Sequence, residues 1–382
     1  MIRFLSGLFW TVVVLLILFH LVGGWYFSGV LADDLLDVTV EPVERNLVVT
    51  EAGDGTVTLR PLADEVSELT EPGIWGLDWG TGRGRVGEIV ATAEDGSVTR
   101  SLLEGAGLEV GLTARLDGWV YAGDPQSARE LPFTDIEFAS PLGTFAGWRL
   151  EGDKTTWVVH VHGKGTTREE ALRAVEPIAR AGYPQLVITY RNDDGFPVDP
   201  SRQYQYGLTE WEEVAAAVDM AVVAGADKVV LFGYSTGAAH ILSYMYREPA
   251  PEIVGLVFDA PNIDIEAAVD EAAGQRTLPV LGLPVPSTLT WVAKQISAWR
   301  FDIDWSAWNY IDRAGQLTVR AQVFHGSADR TVPISVSERF AAARPDLVKL
   351  RQTAGAGHVR SWNVDQSAYE SDLVAFLDQV GG

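Results

Sequence analysis

The chain begins with a long, uninterrupted apolar run. Residues 4–27 read FLSGLFWTVVVLLILFHLVGGWYF, and His20 is the only strongly polar side chain among them. A helix of about 20 apolar residues is long enough to cross the hydrocarbon core of a bilayer. The pattern therefore predicts a transmembrane anchor over residues 1–30, with Trp25 and Tyr26 at the membrane interface.

The charges that flank this run predict its orientation. Arg3 precedes it, whereas Asp33, Asp34 and Asp37 follow it before any basic residue. Because basic residues favour the cytoplasmic side, we expect a single-pass protein of the cell membrane with its body on the extracytoplasmic side. The alternative is a secretory signal peptide cleaved after the small residues at 30–32, but the apolar core of such peptides spans only about 7 to 15 residues. Under both interpretations, the body of the protein lies outside the cytoplasm.

Residues 35–130 show a second pattern, in which short β-prone runs are broken by glycine, aspartate and proline. This spacing predicts a small β-rich domain. Gly82, Gly84 and Gly87 match the dinucleotide pattern G-x-G-x-x-G, but the residues that follow are strand-like where that motif requires a helix. We therefore expect a glycine-rich hairpin there. Three tryptophans of this region are expected to pack in a core or an interface, with a substrate-facing role for one of them as the alternative: Trp75, Trp79 and Trp119.

From residue 131 onward, short and almost continuously apolar runs alternate with amphipathic segments. Such runs are typical of strands buried on both faces of a parallel sheet. Their alternation with helical segments predicts a doubly wound α/β domain over residues 131–382. Residues 133–138 and 144–150 predict an antiparallel hairpin at the edge of its sheet. The apolar runs are at 157–161, 185–190, 228–232, 253–258 and 321–324.

Residues 262–316 separate the last two of these strands and are too long for one crossover helix. We expect them to form a cap over the sheet. The cap tryptophans could line an apolar acyl pocket, face lipid, or simply pack the cap, and the sequence leaves these alternatives open. They are Trp291, Trp299, Trp305 and Trp308.

Composition excludes several classes of function. The 382 residues carry a net charge of −23, with acidic residues scattered along the chain, so nucleic acid is not an expected partner. The chain has no cysteine, which excludes thiol catalysis, disulfides and cysteine-based zinc sites.

The motif Gly233-Tyr234-Ser235-Thr236-Gly237 lies between the apolar run 228–232 and a helical stretch. A serine at a sharp strand-to-helix turn projects its hydroxyl clear of the sheet, and the flanking glycines let the turn pack closely. Ser235 is therefore the candidate nucleophile, with Gly233 and Gly237 forming the nucleophile elbow.

Two further residues complete a candidate catalytic triad in the chain order serine, acid, histidine. Asp329 follows the strand at 321–324, and His358 lies in a glycine-rich loop before the last helical stretch. The histidine would act as general base towards the serine, and the carboxylate would hold its tautomer. The competing acids are Asp259, directly after the strand at 253–258, and the pair Asp302 and Asp304.

The run His162-Gly163-Lys164-Gly165 follows the strand at 157–161, where this kind of fold supplies an oxyanion donor. We expect the backbone N–H groups of Lys164 and Thr236 to form the oxyanion hole. His160 and His162 share a strand face, but no third ligand lies at a plausible spacing, so no metal site is predicted. His240 and His325 are expected to be hydrogen-bonded structural residues.

With HGKG, GYSTG, HGSADRTVP and GAGH in this order, residues 131–382 resemble the α/β-hydrolase-domain (ABHD-like) serine hydrolases, and among them the membrane-attached members. The resemblance implies an eight-stranded sheet, a triad of Ser235, Asp329 and His358, no cofactor, and hydrolysis of carboxylic esters or related acyl bonds. The loop at 190–195 departs from the pattern of these relatives.

Together these features predict a serine hydrolase that cleaves ester or related acyl bonds of an apolar or lipid-like small molecule through an acyl-enzyme. Its partners would be that substrate and, through the N-terminal helix, the membrane. One alternative is a serine peptidase of the prolyl-oligopeptidase type, although residues 35–130 are too few for a propeller of four-stranded blades. The other is a catalytically inactive envelope scaffold.

Overall fold

The structure is a computed structural model that describes residues 2–39, 44–62, 66–247, 249–279 and 281–382. It begins with the helix α1 (Ile2–Leu36). By length and composition, its segment Ser6–Leu36 could cross a membrane. The prediction of a long apolar helix is confirmed, while its placement in a membrane stays a prediction. The helix continues to Leu36, beyond the predicted end of the anchor at residue 30, and Leu31 and Leu36 are buried against the rest of the protein.

Six short strands after α1 form a closed antiparallel barrel with the neighbour order β1-β2-β5-β4-β3-β6. Pairing of Leu47 with Ala114 closes it, and Leu59 and Val86 are among the side chains buried inside. A short helix, α2 (Pro125–Arg129), follows the barrel. The strands are β1 (Leu47–Gly53), β2 (Thr56–Pro61), β3 (Trp75–Asp78), β4 (Arg83–Thr92), β5 (Val98–Glu104) and β6 (Thr113–Asp117).

The expected glycine-rich hairpin is the β3–β4 pair, in which Trp75 lies opposite Val86. A Cβ on Gly84 would lie 2.1 Å from the carbonyl oxygen of Glu104. The glycine at this position is therefore required by close strand packing, and the chain continues as a strand where a dinucleotide motif needs a helix.

The remaining strands form one eight-stranded sheet in the order β14-β13-β12-β11-β9-β10-β8-β7. The hairpin β7–β8 is antiparallel at one edge, and β9 to β14 run parallel to one another. The strands are β7 (Thr134–Ser140), β8 (Gly143–Leu150), β9 (Thr156–Val161), β10 (Gln185–Ile188), β11 (Lys228–Tyr234), β12 (Ile253–Asp259), β13 (Arg320–Gly326) and β14 (Val348–Thr353).

Both faces of this sheet are covered, which explains why its strands are apolar throughout. Val159 and Leu231 pack in one core cluster, whereas their chain neighbours Val158 and Phe232 pack in the cluster on the opposite face. The predicted α/β-hydrolase fold with a small β-rich domain is thereby confirmed. The helices after α2 are α3 (Leu172–Arg180), α4 (Trp211–Val223), α5 (Gly237–Met245), α6 (Ile265–Gly274), α7 (Ser287–Phe301), α8 (Ser335–Ala343), α9 (Ser361–Val364) and α10 (Gln366–Gly381).

The predicted cap consists mainly of α6 and α7, which lie between β12 and β13 in the chain. Helix α7 packs against α1. A Cβ on Gly24 would lie 2.6 Å from Cγ1 of Val292, so the absence of a side chain lets the two helices approach closely. The cap and the N-terminal helix therefore form one packed unit above the sheet.

Candidate active site

Ser235 occupies the sharp turn between β11 and α5 with φ of 47°, a left-handed conformation that costs a non-glycine residue free energy. Its N–H donates a hydrogen bond of 2.9 Å to the carbonyl oxygen of Asp259, which helps to hold the turn. A Cβ on Gly237 would lie 2.1 Å from the carbonyl oxygen of Val161, and one on Gly233 would lie 2.7 Å from the nitrogen of Ala238. Only glycine fits at these two positions.

The three predicted triad residues come together at the carboxyl ends of β11, β13 and β14. Nε2 of His358 lies 2.9 Å from Oγ of Ser235, and Nδ1 of the same ring lies 2.8 Å from Oδ2 of Asp329. The imidazole thus bridges the hydroxyl and the carboxylate. With Nδ1–H donated to Asp329, Nε2 is free to accept the serine proton.

The loop after β13 keeps Asp329 ionised. Its Oδ1 accepts hydrogen bonds of 2.8 and 2.9 Å from the N–H groups of Thr331 and Val332. Burial alone would raise the pKa of Asp329, but attraction to His358 and hydrogen bonds from His325 and His358 hold it well below its usual range. The carboxylate is therefore suited to stabilise an imidazolium.

The competing acids lie elsewhere. Asp259 accepts a hydrogen bond of 3.0 Å from the hydroxyl of Tyr369, and burial raises its pKa to about 6. Asp302 is the left-handed residue that ends α7, and Asp304 accepts hydrogen bonds from Ser306. None of these carboxylates has a hydrogen bond to His358 within the described part of the chain.

The two expected oxyanion donors lie in different loops, Lys164 after β9 and Thr236 directly after Ser235. The N–H of Gly163 is already used, because it donates a hydrogen bond of 2.8 Å to Oε2 of Glu170. Among the described residues, none accepts a hydrogen bond from the N–H of Lys164 or of Thr236. Both of these residues line the same cavity as Ser235. The geometry therefore leaves these two donors available to a substrate oxygen.

The histidines outside the triad have other partners. His160 contacts Gln185 at 3.0 Å, and burial lowers its pKa to about 4. His162 lies 2.8 Å from the carboxylate of Asp193, in the loop at 190–195 that departs from the relatives' pattern. Over the described ranges, no group of three or more His, Cys, Asp or Glu side chains is placed to hold a metal ion.

His240 and His325 differ from each other. Nδ1 of His325 lies 2.7 Å from the hydroxyl of Ser337, and Nε2 lies 3.0 Å from the carbonyl oxygen of Val332. His240 is buried, and no described residue hydrogen-bonds its Nδ1. Burial lowers the pKa of His240 to about 3, so its ring is neutral at physiological pH.

A cavity of about 440 Å³ opens in front of Ser235. Its catalytic end contains His358, and two buried oxygens there, Oγ1 of Thr236 and Oδ1 of Asn262, have no hydrogen-bond partner among the described residues. Much of the remaining wall comes from aliphatic or small side chains of the cap: Ala268, Val269, Ala272, Ala273, Val285 and Ala293.

Among Trp119 and the four cap tryptophans, only Trp119 lines the cavity. Trp119, just after the barrel, lines the cavity, whereas Trp75 and Trp79 are buried in the core of the barrel. In the cap, Trp291 and Trp299 are exposed by 59% and 78%, and Trp308 is buried against Tyr206. None of the four cap tryptophans lines the cavity.

Three contributors to the site were not identified from the sequence. One face of α1 lines the cavity, Glu170 fixes the loop after β9, and His325 contacts Asp329. The sequence does not predict which face of α1 lines the cavity, because a continuous apolar stretch has no distinct polar face. Glu170 lies seven residues after Gly163, and no local sequence pattern predicts the contact between them.

Comparison with known proteins supports the fold. Residues 48–117, which include most of the barrel, match a family described as a domain of unknown function, DUF8805. None of the curated proteins compared with the chain matches it. An esterase from Pyrococcus furiosus is similar in structure, with a TM-score of 0.53 and 20% identity over 68% of this chain and 97% of the esterase.

A second crystal form of the same Pyrococcus furiosus esterase gives a TM-score of 0.51 and 21% identity over 68% of this chain and 95% of that one. At this level of identity the likeness establishes the fold. The C-terminal part of the chain therefore has the α/β-hydrolase fold.

Proposed function

We propose that the protein is a serine hydrolase that cleaves carboxylic esters of an apolar, lipid-like substrate, with Ser235 as its nucleophile. The observation that carries the proposal is the continuous chain of two hydrogen bonds from Ser235 through His358 to Asp329 at the end of an apolar cavity. The structural likeness to an esterase agrees with it.

In the first half of the reaction, Oγ of Ser235 attacks the ester carbonyl carbon while Nε2 of His358 takes the hydroxyl proton. The N–H groups of Lys164 and Thr236 stabilise the resulting oxyanion. When this intermediate collapses, the carbon–oxygen ester bond breaks, and His358 gives its proton to the departing alcohol. An acyl group then remains on Ser235.

In the second half, a water molecule attacks the acyl carbon and passes a proton to His358. The carboxylic acid leaves, and the proton returns to Ser235. Throughout both halves Asp329 stays ionised and stabilises the positively charged imidazole, which agrees with its lowered pKa.

The walls of the cavity support an acyl substrate. Aliphatic and small side chains of α6 and α7 surround the space next to Ser235, and such a surface favours a hydrocarbon chain over a charged or extended peptide. The apolar helix α1 supports a membrane location, with the body on the extracytoplasmic side as the flanking charges predict.

A substrate panel tests the proposal on the full-length protein in detergent micelles. We expect turnover of p-nitrophenyl acetate, butyrate, octanoate and palmitate, and of lipid esters, with no cleavage of prolyl peptides. The Ser235→Ala variant serves as the matched control and should be inactive on every ester. Peptide cleavage without ester turnover would instead favour a peptidase, and the absence of any turnover would favour a scaffold.

A further inference from the structure

One face of α1 forms part of the cavity that contains the catalytic serine. Phe27, Val30, Leu31, Asp34 and Leu35 all line it. Their spacing of three and four residues places them on a single side of a helix. The last turns of the apolar helix are therefore a wall of the candidate site and more than a tether.

The C-terminal end of α1 is fixed to the hydrolase domain by hydrogen bonds. The last carbonyl groups of a helix have no partner within it. Here the carbonyl oxygen of Asp34 accepts a bond of 2.5 Å from Nζ of Lys164. Those of Leu35 and Leu36 accept bonds from the Tyr206 hydroxyl, at 2.9 Å, and the Tyr204 N–H, at 3.1 Å.

Lys164 joins this helix end to the predicted oxyanion hole, because its side chain binds α1 while its backbone N–H is one of the two predicted donors. A second contact joins α1 to the cap, in which Nη2 of Arg276 lies 2.5 Å from Oδ2 of Asp34. The position of α1 is therefore coupled to both the catalytic loop and the cap.

Further towards its N-terminus, α1 packs along α7. Nε2 of His20 lies 3.0 Å from Oγ1 of Thr288, and Arg300 donates a hydrogen bond of 3.1 Å to the carbonyl oxygen of Trp25 while its guanidinium lies over the Trp25 ring. These contacts fall within the segment that could cross a membrane. The exposed side of that segment is apolar, as Val22 illustrates with 68% exposure.

We propose that α1 is a permanent part of the acyl-binding site, and that the acyl chain of a membrane lipid occupies the space between α1 and the cap helices α6 and α7. The inference rests on the proposed function, because it places the carbonyl of that chain at Ser235. Removal of α1 by cleavage near residue 32 would strip Phe27, Val30 and Leu31 from the wall. The helix is therefore retained in the active enzyme.

Because the chain has no cysteine, a single introduced thiol can probe this wall. Val30→Cys places the thiol in the cavity, and Val22→Cys places it on the exposed side of the same helix as a matched control. Each protein is treated in micelles with an alkyl methanethiosulfonate, and complete modification is verified by mass spectrometry. Turnover of p-nitrophenyl palmitate and labelling of Ser235 by a fluorophosphonate are then measured.

In the modified Val30→Cys protein we expect palmitate turnover and labelling to fall by at least about tenfold, because the attached alkyl group fills the acyl space, and to recover when a reductant removes it. In the modified Val22→Cys protein neither should change. Unchanged palmitate turnover after complete modification of Val30→Cys would overturn the inference. Absence of turnover in the unmodified proteins would contradict the proposed function itself, so the two failures are distinguishable.

A second pair of variants decides the case if the thiol at position 30 does not react. Val30→Trp should reduce palmitate turnover relative to butyrate by about tenfold or more, because the added ring shortens the acyl space. Val22→Trp should leave this ratio unchanged. An equal palmitate-to-butyrate ratio in both variants would overturn the inference, and a ratio lowered only by Val30→Trp supports a long acyl chain against α1.

Discussion

Nε2 of His325 lies 3.1 Å from Oδ2 of Asp329, so the carboxylate that pairs with His358 also contacts a second imidazole that is completely buried. This contact helps to hold the pKa of Asp329 low. Among the described residues, no hydrogen bond joins His325 to Ser235, and we regard His325 as a positioning residue for the acid. The acid of the candidate triad therefore has a second, buried partner four residues before it in the chain.

The first prediction concerns this acid. Asp329→Asn should lower kcat for p-nitrophenyl butyrate by on the order of 10⁴-fold, as in other triads in which the histidine is left in the wrong tautomer. KM should change little, because the cavity walls are unaltered. Asp304→Asn, at a rejected candidate for the acid, is the control and should retain full activity. Wild-type kcat in Asp329→Asn would exclude Asp329 as the triad acid.

The second prediction concerns the nucleophile elbow. Gly237→Ala should reduce both stability and activity, because its new Cβ would lie 2.1 Å from the carbonyl oxygen of Val161. Overpacking of this kind costs about 1–3 kcal/mol. Gly274→Ala is a matched control, since a Cβ there meets nothing within 4 Å. The thermal unfolding midpoint and the rate of ester turnover should both be lower in Gly237→Ala than in Gly274→Ala. Equal values in the two variants would contradict the packing argument.

The third prediction is a pH dependence of stability. Burial raises the pKa of Asp259 from 3.8 to about 6 in the folded protein. As the pH rises from about 4 to 6, the unfolded chain releases this proton while the folded chain keeps it, so the contribution of Asp259 to stability falls across that window. A shift of about two units corresponds to about 3 kcal/mol.

Asp259→Asn removes this titration while keeping an acceptor for the Tyr369 hydroxyl. Relative to the wild type, the variant should therefore gain thermal stability between pH 4.5 and pH 7.5 in the same buffer series. The difference in thermal stability between the variant and the wild type reports the titration of Asp259 alone, because all other carboxyl groups are common to both proteins. A constant difference across that pH range would show that Asp259 does not titrate as described.

The fourth prediction concerns the buried ion cluster around Arg191. Its guanidinium pairs with Asp199 at 3.1 Å and with Glu213 at 2.8 Å, and these side chains are at most 5% exposed. Arg191→Met would leave both carboxylates without their cation, a loss that costs about 3–5 kcal/mol. We expect a clearly lower thermal midpoint, whereas the same change at the exposed Arg202 should have almost no effect. Equal midpoints would argue against the cluster as a stabilising element.

The sequence was sufficient to predict the hydrolase fold and the three residues that meet at the candidate catalytic edge of its sheet. In a parallel sheet, the loops after neighbouring strands emerge at the same edge, so motifs placed directly after their strands must come close together. Ser235 and Asp329 follow strands of this kind that the sequence predicts. His358 follows β14, which is not among the predicted apolar runs, and its expected position rests on the glycine-rich loop before the last helical stretch. The residues around each motif were therefore enough to predict where these side chains lie in the fold.

The other features depend on contacts between distant parts of the chain. Closure of the barrel needs β1 to pair with β6, which the spacing of short strands does not predict. Which face of α1 lines the cavity depends on how the helix packs against α6 and α7. The apolar sequence of α1 does not distinguish that face from the others. Likewise, exposure of Trp291 and Trp299 is decided by the packing of α7 against α1.

The most direct test of the central claim is to locate the nucleophile. Full-length protein in micelles is treated with a fluorophosphonate, digested, and analysed by mass spectrometry. We predict one modified residue, Ser235, with labelling and ester turnover lost together in Ser235→Ala while its thermal midpoint is retained. Labelling or turnover that persists in Ser235→Ala would contradict the assignment of this serine as the catalytic nucleophile.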